Sequence, residues 1–286
     1  MTEIIVLMVM VLAASACSLV GNFLVLRRLS LMGDAISHAV LPGIVLAFMV
    51  VGGLQSPMFF VFSVLFALVL AFLIQWFSDR MKISHESVIG IVFTSLFALG
   101  VILLVRYVGN VHLDQDAVLF GQVEFSAWNR FEVFGVDIGV RSLWMMGTVL
   151  LIDAAMLLLF WKELALSAFD SRFADSNGFS SRKLHYLLVL MTAITVVAAF
   201  EAVGGVLVVA LIVVPSVTAY LVSGRLAEMV WKGQLFALLA ALGGYFFAFW
   251  ADVSMAGSVA MMSGVLLVLV VIARSIYLLF LRKRGV

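Results

Sequence analysis

Gly33-Asp34-Ala35-Ile36-Ser37-His38-Ala39-Val40-Leu41-Pro42-Gly43 reads as an apolar helix that opens on a carboxylate and an imidazole four residues apart. Residues i and i+4 share one face of a helix, so Asp34 and His38 point at the same target. Pro42 follows His38 by four residues and has no N–H to offer the His38 carbonyl, which frees that carbonyl and favours a kink. Ionisable groups inside a membrane are costly and need a reason to be there. A free carbonyl at that depth is tolerated only beside protein or a water-filled cavity. An acid, an imidazole and a carbonyl facing one cavity suit a divalent transition metal.

The rest of the chain supplies the membrane. Its 286 residues are 65% hydrophobic and 12% charged, with mean hydropathy +1.24. Soluble domains carry about 25% charged residues. Repeated apolar runs of about 20 residues mark a polytopic membrane protein. The net charge of +1 gives no reason to expect a nucleic-acid partner. Cys17 is the single cysteine, which excludes an intrachain disulfide. Ala14-Ser15-Ala16-Cys17 faintly resembles a lipoprotein cleavage site, but the run before it carries Glu3 and no basic residue. Residues 4–26 therefore read as a retained transmembrane helix.

Further apolar spans fall at 36–52, 57–77, 86–106, 141–161, 184–202, 205–222, 233–250 and 257–280. The weakest boundary is Gly204-Gly205, and an eight-helix arrangement with one broken element in 184–222 stays open. The distribution of basic residues tests the count. With the N-terminus outside and nine spans, the inner side holds Arg27, Arg28, Arg80, Lys82, Lys162, Arg172, Arg182, Lys183, Arg225, Lys232, Arg274, Arg282, Lys283 and Arg284. Only Arg106, Arg130 and Arg141 are left for the outer side. The long outer segment 107–140 is acidic, with Asp114, Asp116, Glu124, Glu132 and Asp137 beside Arg130 and His112. Its apolar stretch Ala117–Phe120 suggests a partly buried loop. No low-complexity tract or clear internal repeat is present.

Each candidate residue has a structural alternative. Asp34 is a metal ligand or an N-cap, and His38 is a ligand or a hydrogen-bonded packing residue. Two ligands are few for one ion, and a two-fold assembly would supply four. Glu201, just before Gly204-Gly205, is a pathway or gate residue, or a loop acid at the outer surface. Asp153 reads as a buried packing residue and Asp252 as interfacial. Glu86, beside His85, complements a helix dipole. His112 and His185 read as loop or interface residues, and the dispersed methionines as packing residues.

Two inner loops exceed plain connections. Residues 162–183 contain Phe169-Asp170-Ser171-Arg172-Phe173-Ala174-Asp175-Ser176-Asn177-Gly178. Residues 221–234 read as a short amphipathic helix with Leu226, Met229 and Val230 on one face. Either loop is a solvated connector or a surface for a soluble partner. The sequence contains no G-x-x-x-x-G-K-[ST] stretch, so ATP hydrolysis would need a separate polypeptide. No catalytic constellation is evident in sequence, and H-E-x-x-H is absent, which weakens an intramembrane metalloprotease. The chain reads as a non-enzyme.

Three stretches carry a resemblance that runs over essentially the whole chain. Ser30 through Gly43, Phe169-Asp170 through Gly178, and Ala202-Val203-Gly204-Gly205 through Pro215 resemble the permease subunits of bacterial ABC importers for manganese, zinc and iron. The resemblance implies an all-α helical bundle similar to the vitamin B12 and siderophore importers, formed as one transmembrane permease domain over 1–286. It implies that Asp34 and His38 coordinate the metal. It implies that an ABC ATPase couples through Arg225, Leu226, Glu228, Met229, Phe169 and Asp170, with 221–234 as the main element. It also implies an extracytoplasmic metal-binding protein, a second permease subunit as homodimer or heterodimer, and a place in the bacterial inner membrane with the C-terminus cytoplasmic. No cofactor is held permanently. The transported ion would be Mn2+, or Zn2+ or Fe2+, with ATP bound on the partner. An ATP-independent secondary metal transporter or channel is the alternative, and it leaves the two inner loops without a purpose.

Overall fold

A computed structural model describes residues 2–51, 58–81, 84–107, 123, 130–133 and 136–283. Asp114, Asp116, Glu124, His112 and the Ala117–Phe120 stretch lie outside the described residues.

The helices are α1 (Thr2–Leu26), α2 (Leu31–Val51), α3 (Met58–Arg80) and α4 (His85–Tyr107), then α5 (Arg141–Leu159), α6 (Trp161–Phe169) and α7 (Ser171–Ser176). The chain closes with α8 (Ser181–Val203), α9 (Gly205–Val222), α10 (Leu226–Ala251) and α11 (Met255–Lys283). A short antiparallel hairpin, β1 (Arg130–Val133) and β2 (Val136–Val140), leads into α5. Among the described residues, nine helices are long and apolar enough to cross a membrane. The short pair α6 and α7 is not among them.

Gly204 decides between eight and nine spans. Its backbone (φ 85°, ψ 156°) lies where only glycine is comfortable, and its N–H closes α8 onto the Phe200 carbonyl. The stretch 184–222, which the eight-helix alternative treats as one broken element, is therefore two helices. Two boundaries differ from the expected spans by five residues or more. α2 starts at Leu31, five residues before the expected 36, because Met32 N–H bonds the Leu29 carbonyl and starts the helix early. α10 starts at Leu226, so the expected amphipathic piece is the first two turns of a membrane-length helix.

α1 is the hub of the bundle, packed against α5, α8, α9 and α10, while α2 lies against α3, α4 and α8. Helices in lipid gain little from apolar contact and associate through close packing at small residues. Gly21 of α1 meets the α9 backbone so closely that a Cβ there would lie 2.1 Å from the Ile212 carbonyl oxygen. Gly244 of α10 has the same relation to α11, with Val259 Cα 2.4 Å from the would-be Cβ.

Candidate metal site

The site is built on α2. Met32, Gly33, Ala35, Ile36, Ser37, Ala39 and Val40 are buried, and Asp34 and His38 form the half-exposed stripe between them. Because α2 starts at Leu31, Asp34 lies within the first turn and its carboxylate meets the His38 ring, with Oδ1 3.4 Å from Nε2. Each side chain keeps 38% of its surface accessible. Ser37 donates back to the Gly33 carbonyl at 3.0 Å.

That separation has a chemical meaning. Nitrogen and oxygen ligands about 2.1 Å from one ion stand about 3.0 Å apart at a right angle and about 3.4 Å apart at the tetrahedral angle. The pair, at 3.4 Å, falls at the upper end of that range. Among the described residues, no third His, Cys, Asp or Glu joins it. The remaining coordination positions would fall to water, carbonyls or a second copy.

Aromatic rings fix the imidazole. His38 stacks on Phe93 (centroids 5.8 Å, interplanar 22°) and meets Phe97 edge-on (5.3 Å, 75°). Phe93 and Phe97 are one turn apart on α4. Asp34 and His38 open into a cavity of about 320 Å³ whose other walls include Phe97, Phe200, Gly205 and Val209. A Cβ on Gly205 would lie 2.7 Å from the Phe200 ring, so the Gly204-Gly205 break admits Phe200 to the cavity wall. The sequence reading missed these aromatics. The i,i+4 spacing of Phe93 and Phe97, and the place of Phe200 beside Glu201, were the available signals.

The second half of the motif is packing. A Cβ on Gly43 would lie 2.8 Å from the Phe62 carbonyl of α3, and one on Gly100 of α4 would lie 2.8 Å from Pro42 Cδ. Pro42-Gly43 thus holds α2 between α3 and α4.

Glu201, one residue beyond Phe200, pairs with Arg141 at the start of α5 (Oε1 to Nη2, 3.0 Å). The ion pair ties the hairpin exit to the helix break beside the cavity. Asp153 is 1% exposed, and its Oδ2 accepts from Thr195 Oγ1 at 2.6 Å. Asp252 occupies the exposed left-handed turn between α10 and α11. Glu86 is exposed in the first turn of α4.

The two candidate coupling segments differ. In the first, Asp170 caps α7, its Oδ1 accepting from the Arg172 and Phe173 N–H groups at 3.0 Å each. Ala174 is buried and Gly178 has φ 85°. Three motif residues are thus explained by the local fold, which leaves Phe169, 69% exposed, as the free one. Phe173 is exposed beside it. In the second segment, Arg225 and Glu228 are exposed and Leu226 is partly buried, but Met229 is 2% exposed inside the bundle. Lys232 Nζ lies 3.6 Å from Glu228 Oε2 and donates to the Val222 carbonyl at 2.6 Å, which closes this turn on itself.

The chain as a whole is similar to known proteins. The chain is 43% identical over 255 residues to the manganese transport system membrane protein MntD of Bacillus subtilis, covering 89% of this chain and 86% of that one. It is 41% identical over 265 residues to the zinc transport system membrane protein TroD of Treponema pallidum, covering 93% and 72%. Among solved structures it is similar to PsaBC from Streptococcus pneumoniae in complex with Fab, with TM-score 0.76, 29% identity, and coverage of 93% of this chain and 89% of that one. An inward-facing metal-chelate type ABC transporter shares the fold at TM-score 0.63 and 17% identity, over 94% and 85% of the two chains. The profile described as the ABC 3 transport family matches residues 1–274, and the chain belongs to that family of ABC transporter permeases.

Proposed function

We propose that this chain is one half of a dimeric pore importing a divalent transition metal, manganese first and zinc or iron as alternatives, driven by a separate ATPase. The observation that carries this reading is the Asp34–His38 pair, 3.4 Å apart on the wall of an aromatic-lined cavity. Carboxylate plus imidazole suits manganese, iron and zinc. Intrinsic affinity favours zinc over manganese at such a site, so selectivity would rest on geometry and on the protein that delivers the ion. Two ligands per chain keep binding weak enough for release. The relatives named for manganese and for zinc support the cargo class.

The end bearing Arg27, Arg28 and α6–α7 is assigned to the cytoplasm by its basic residues, which puts the C-terminus inside. The 107–140 segment would then face an extracytoplasmic metal-binding protein. Exposed Phe169 and Phe173 on two short helices support α6–α7 as the principal ATPase surface. The 221–234 segment becomes the smaller contact, with Arg225, Leu226 and Glu228 at its rim, because Met229 is buried in the bundle. A second permease, identical or not, would complete the pore.

The test is radiolabelled manganese and zinc uptake in cells carrying the permease with its ATPase and binding protein. Asp34→Ala/His38→Ala is expected to abolish uptake while the complex still assembles, and an ATPase-dead strain is expected to match it. Normal uptake in the assembled double variant removes the site. Uptake without ATP hydrolysis assigns a secondary transporter instead.

A further inference from the structure

A second and larger cavity, about 990 Å³, opens at the basic end of the bundle and shares no lining residue with the cavity at Asp34 and His38. It sits where α1 ends, beside the first turns of α4 and α8 and the α6–α7 link. Its walls divide by chemistry. Leu26, Leu29 and Tyr220 give an apolar side continuous with the membrane spans. Arg27, Arg28, Ser84, Ser171, Ser181 and His185 give a polar side.

The arginines dominate the charge. Glu86 is the acid on the wall, and nearby Arg182 is already matched by Asp79 at 3.8 Å. Arg27 donates through Nη2 to Ser167 Oγ, but its Nε is buried without a hydrogen-bond partner among the described residues. Burial also pulls its guanidinium below the usual range, a cost that a bound anion would offset. Arg28 holds a left-handed backbone (φ 58°) at the end of α1. Its N–H bonds the Val25 carbonyl and the Leu29 N–H bonds the Leu24 carbonyl, a helix stop where glycine is the usual residue. An arginine there is strained, and it lines the same cavity as Arg27.

We infer that this cavity binds the headgroup of an anionic membrane phospholipid. The phosphate would sit between Arg27 and Arg28, with the Ser84 hydroxyl at the mouth of α4 as a further donor and an acyl chain along Leu26, Leu29 and Tyr220. Basic pockets between membrane helices recognise acidic lipids in this way. A bound lipid would brace the junction of α1, α6 and α8 that carries Phe169.

Native mass spectrometry of the assembled transporter, purified with its partner subunits and exchanged into phosphatidylglycerol/phosphatidylcholine mixtures, tests it. Wild type is expected to retain phosphatidylglycerol, and Arg27→Gln/Arg28→Gln to lose roughly 30-fold of that retention, the value for two arginines at a membrane surface. Arg27→Lys/Arg28→Lys keeps the charge and is expected to keep most of the lipid. Ser84 accepts from the Ser87 N–H at 3.3 Å, so Ser84→Asp preserves the helix cap while adding a negative charge to the wall. It is expected to weaken retention without lowering the melting temperature, which covers the case of a misfolded double variant. Equal lipid retention in wild type, Arg27→Gln/Arg28→Gln and Ser84→Asp overturns the proposal. Binding of radiolabelled inorganic phosphate that phosphatidylglycerol does not displace also overturns it, and assigns a free-anion site.

Discussion

Gly100 of α4 lies directly against Pro42 of α2, with a would-be Cβ 2.8 Å from Pro42 Cδ and 2.9 Å from its nitrogen. The contact is to backbone and ring, which cannot swing away, so any side chain at 100 must push α4 from α2. Phe93 and Phe97, which hold the His38 ring, are on the same helix. Gly100→Ala is therefore expected to cost about 1–3 kcal/mol by overpacking and to reduce metal uptake by misplacing the two rings. Thermal melting and uptake of the same preparation check this, and an unchanged melting temperature would refute the contact.

Asp34→Asn and His38→Ala are expected to behave in the opposite way. Both side chains are half-exposed, and an exposed pair contributes only about 0–1 kcal/mol. Uptake should fall to background while stability stays within that range. A large loss of stability in either variant would recast the pair as structural.

Glu201 and Arg141 join α8 to α5 across a partly exposed ion pair at 3.0 Å. A double-variant cycle with Glu201→Gln and Arg141→Gln should give a coupling of about 0.2–1 kcal/mol in stability. The charge swap Glu201→Arg/Arg141→Glu should recover part of the uptake lost by each single change. Full additivity of the two single changes would show that the pair is not coupled.

Asp153 accepts from Thr195 at 2.6 Å in a buried setting. Asp153→Asn retains an acceptor and is expected to be mild. Asp153→Leu removes that acceptor, while the Met191 carbonyl at 2.8 Å still satisfies the Thr195 hydroxyl, and should cost about 0.5–1.5 kcal/mol. Equal melting temperatures for the two variants would show that the hydrogen bond is unimportant.

Phe169 and Asp170 are neighbours with separate roles. Phe169→Ala should weaken co-purification of the ATPase without lowering the permease melting temperature. Asp170→Ala removes a helix cap and should cost about 0.5–2 kcal/mol, loosening α7 as well. Undiminished ATPase capture by Phe169→Ala would move the docking surface elsewhere.

Much of this was readable along the chain, because bilayer thickness and the cost of an unsatisfied backbone act on local sequence. Apolar length and the distribution of basic residues favour nine spans, and Gly204 marks the break between α8 and α9. The i,i+4 arithmetic of one helix places Asp34 beside His38 without reference to any other element. The short helix expected in 221–234 is instead the start of α10, because the apolar face of Leu226, Met229 and Val230 continues into the bundle and buries Met229.

The remaining features depend on which helices meet. That Phe93 stacks on His38, that Phe97 and Phe200 wall the cavity, that Arg141 answers Glu201, and that Pro42-Gly43 serves packing all follow from contacts between segments far apart in sequence. The membrane spans and the Asp34–His38 pair are legible along the chain, since the first rest on apolar length and the second on i,i+4 geometry within one helix. Only the tertiary structure decided what surrounds that pair. Helix association in lipid is set by the shape of close contacts such as Gly21 on Ile212 and Gly100 on Pro42, and shape between distant segments has no local signature.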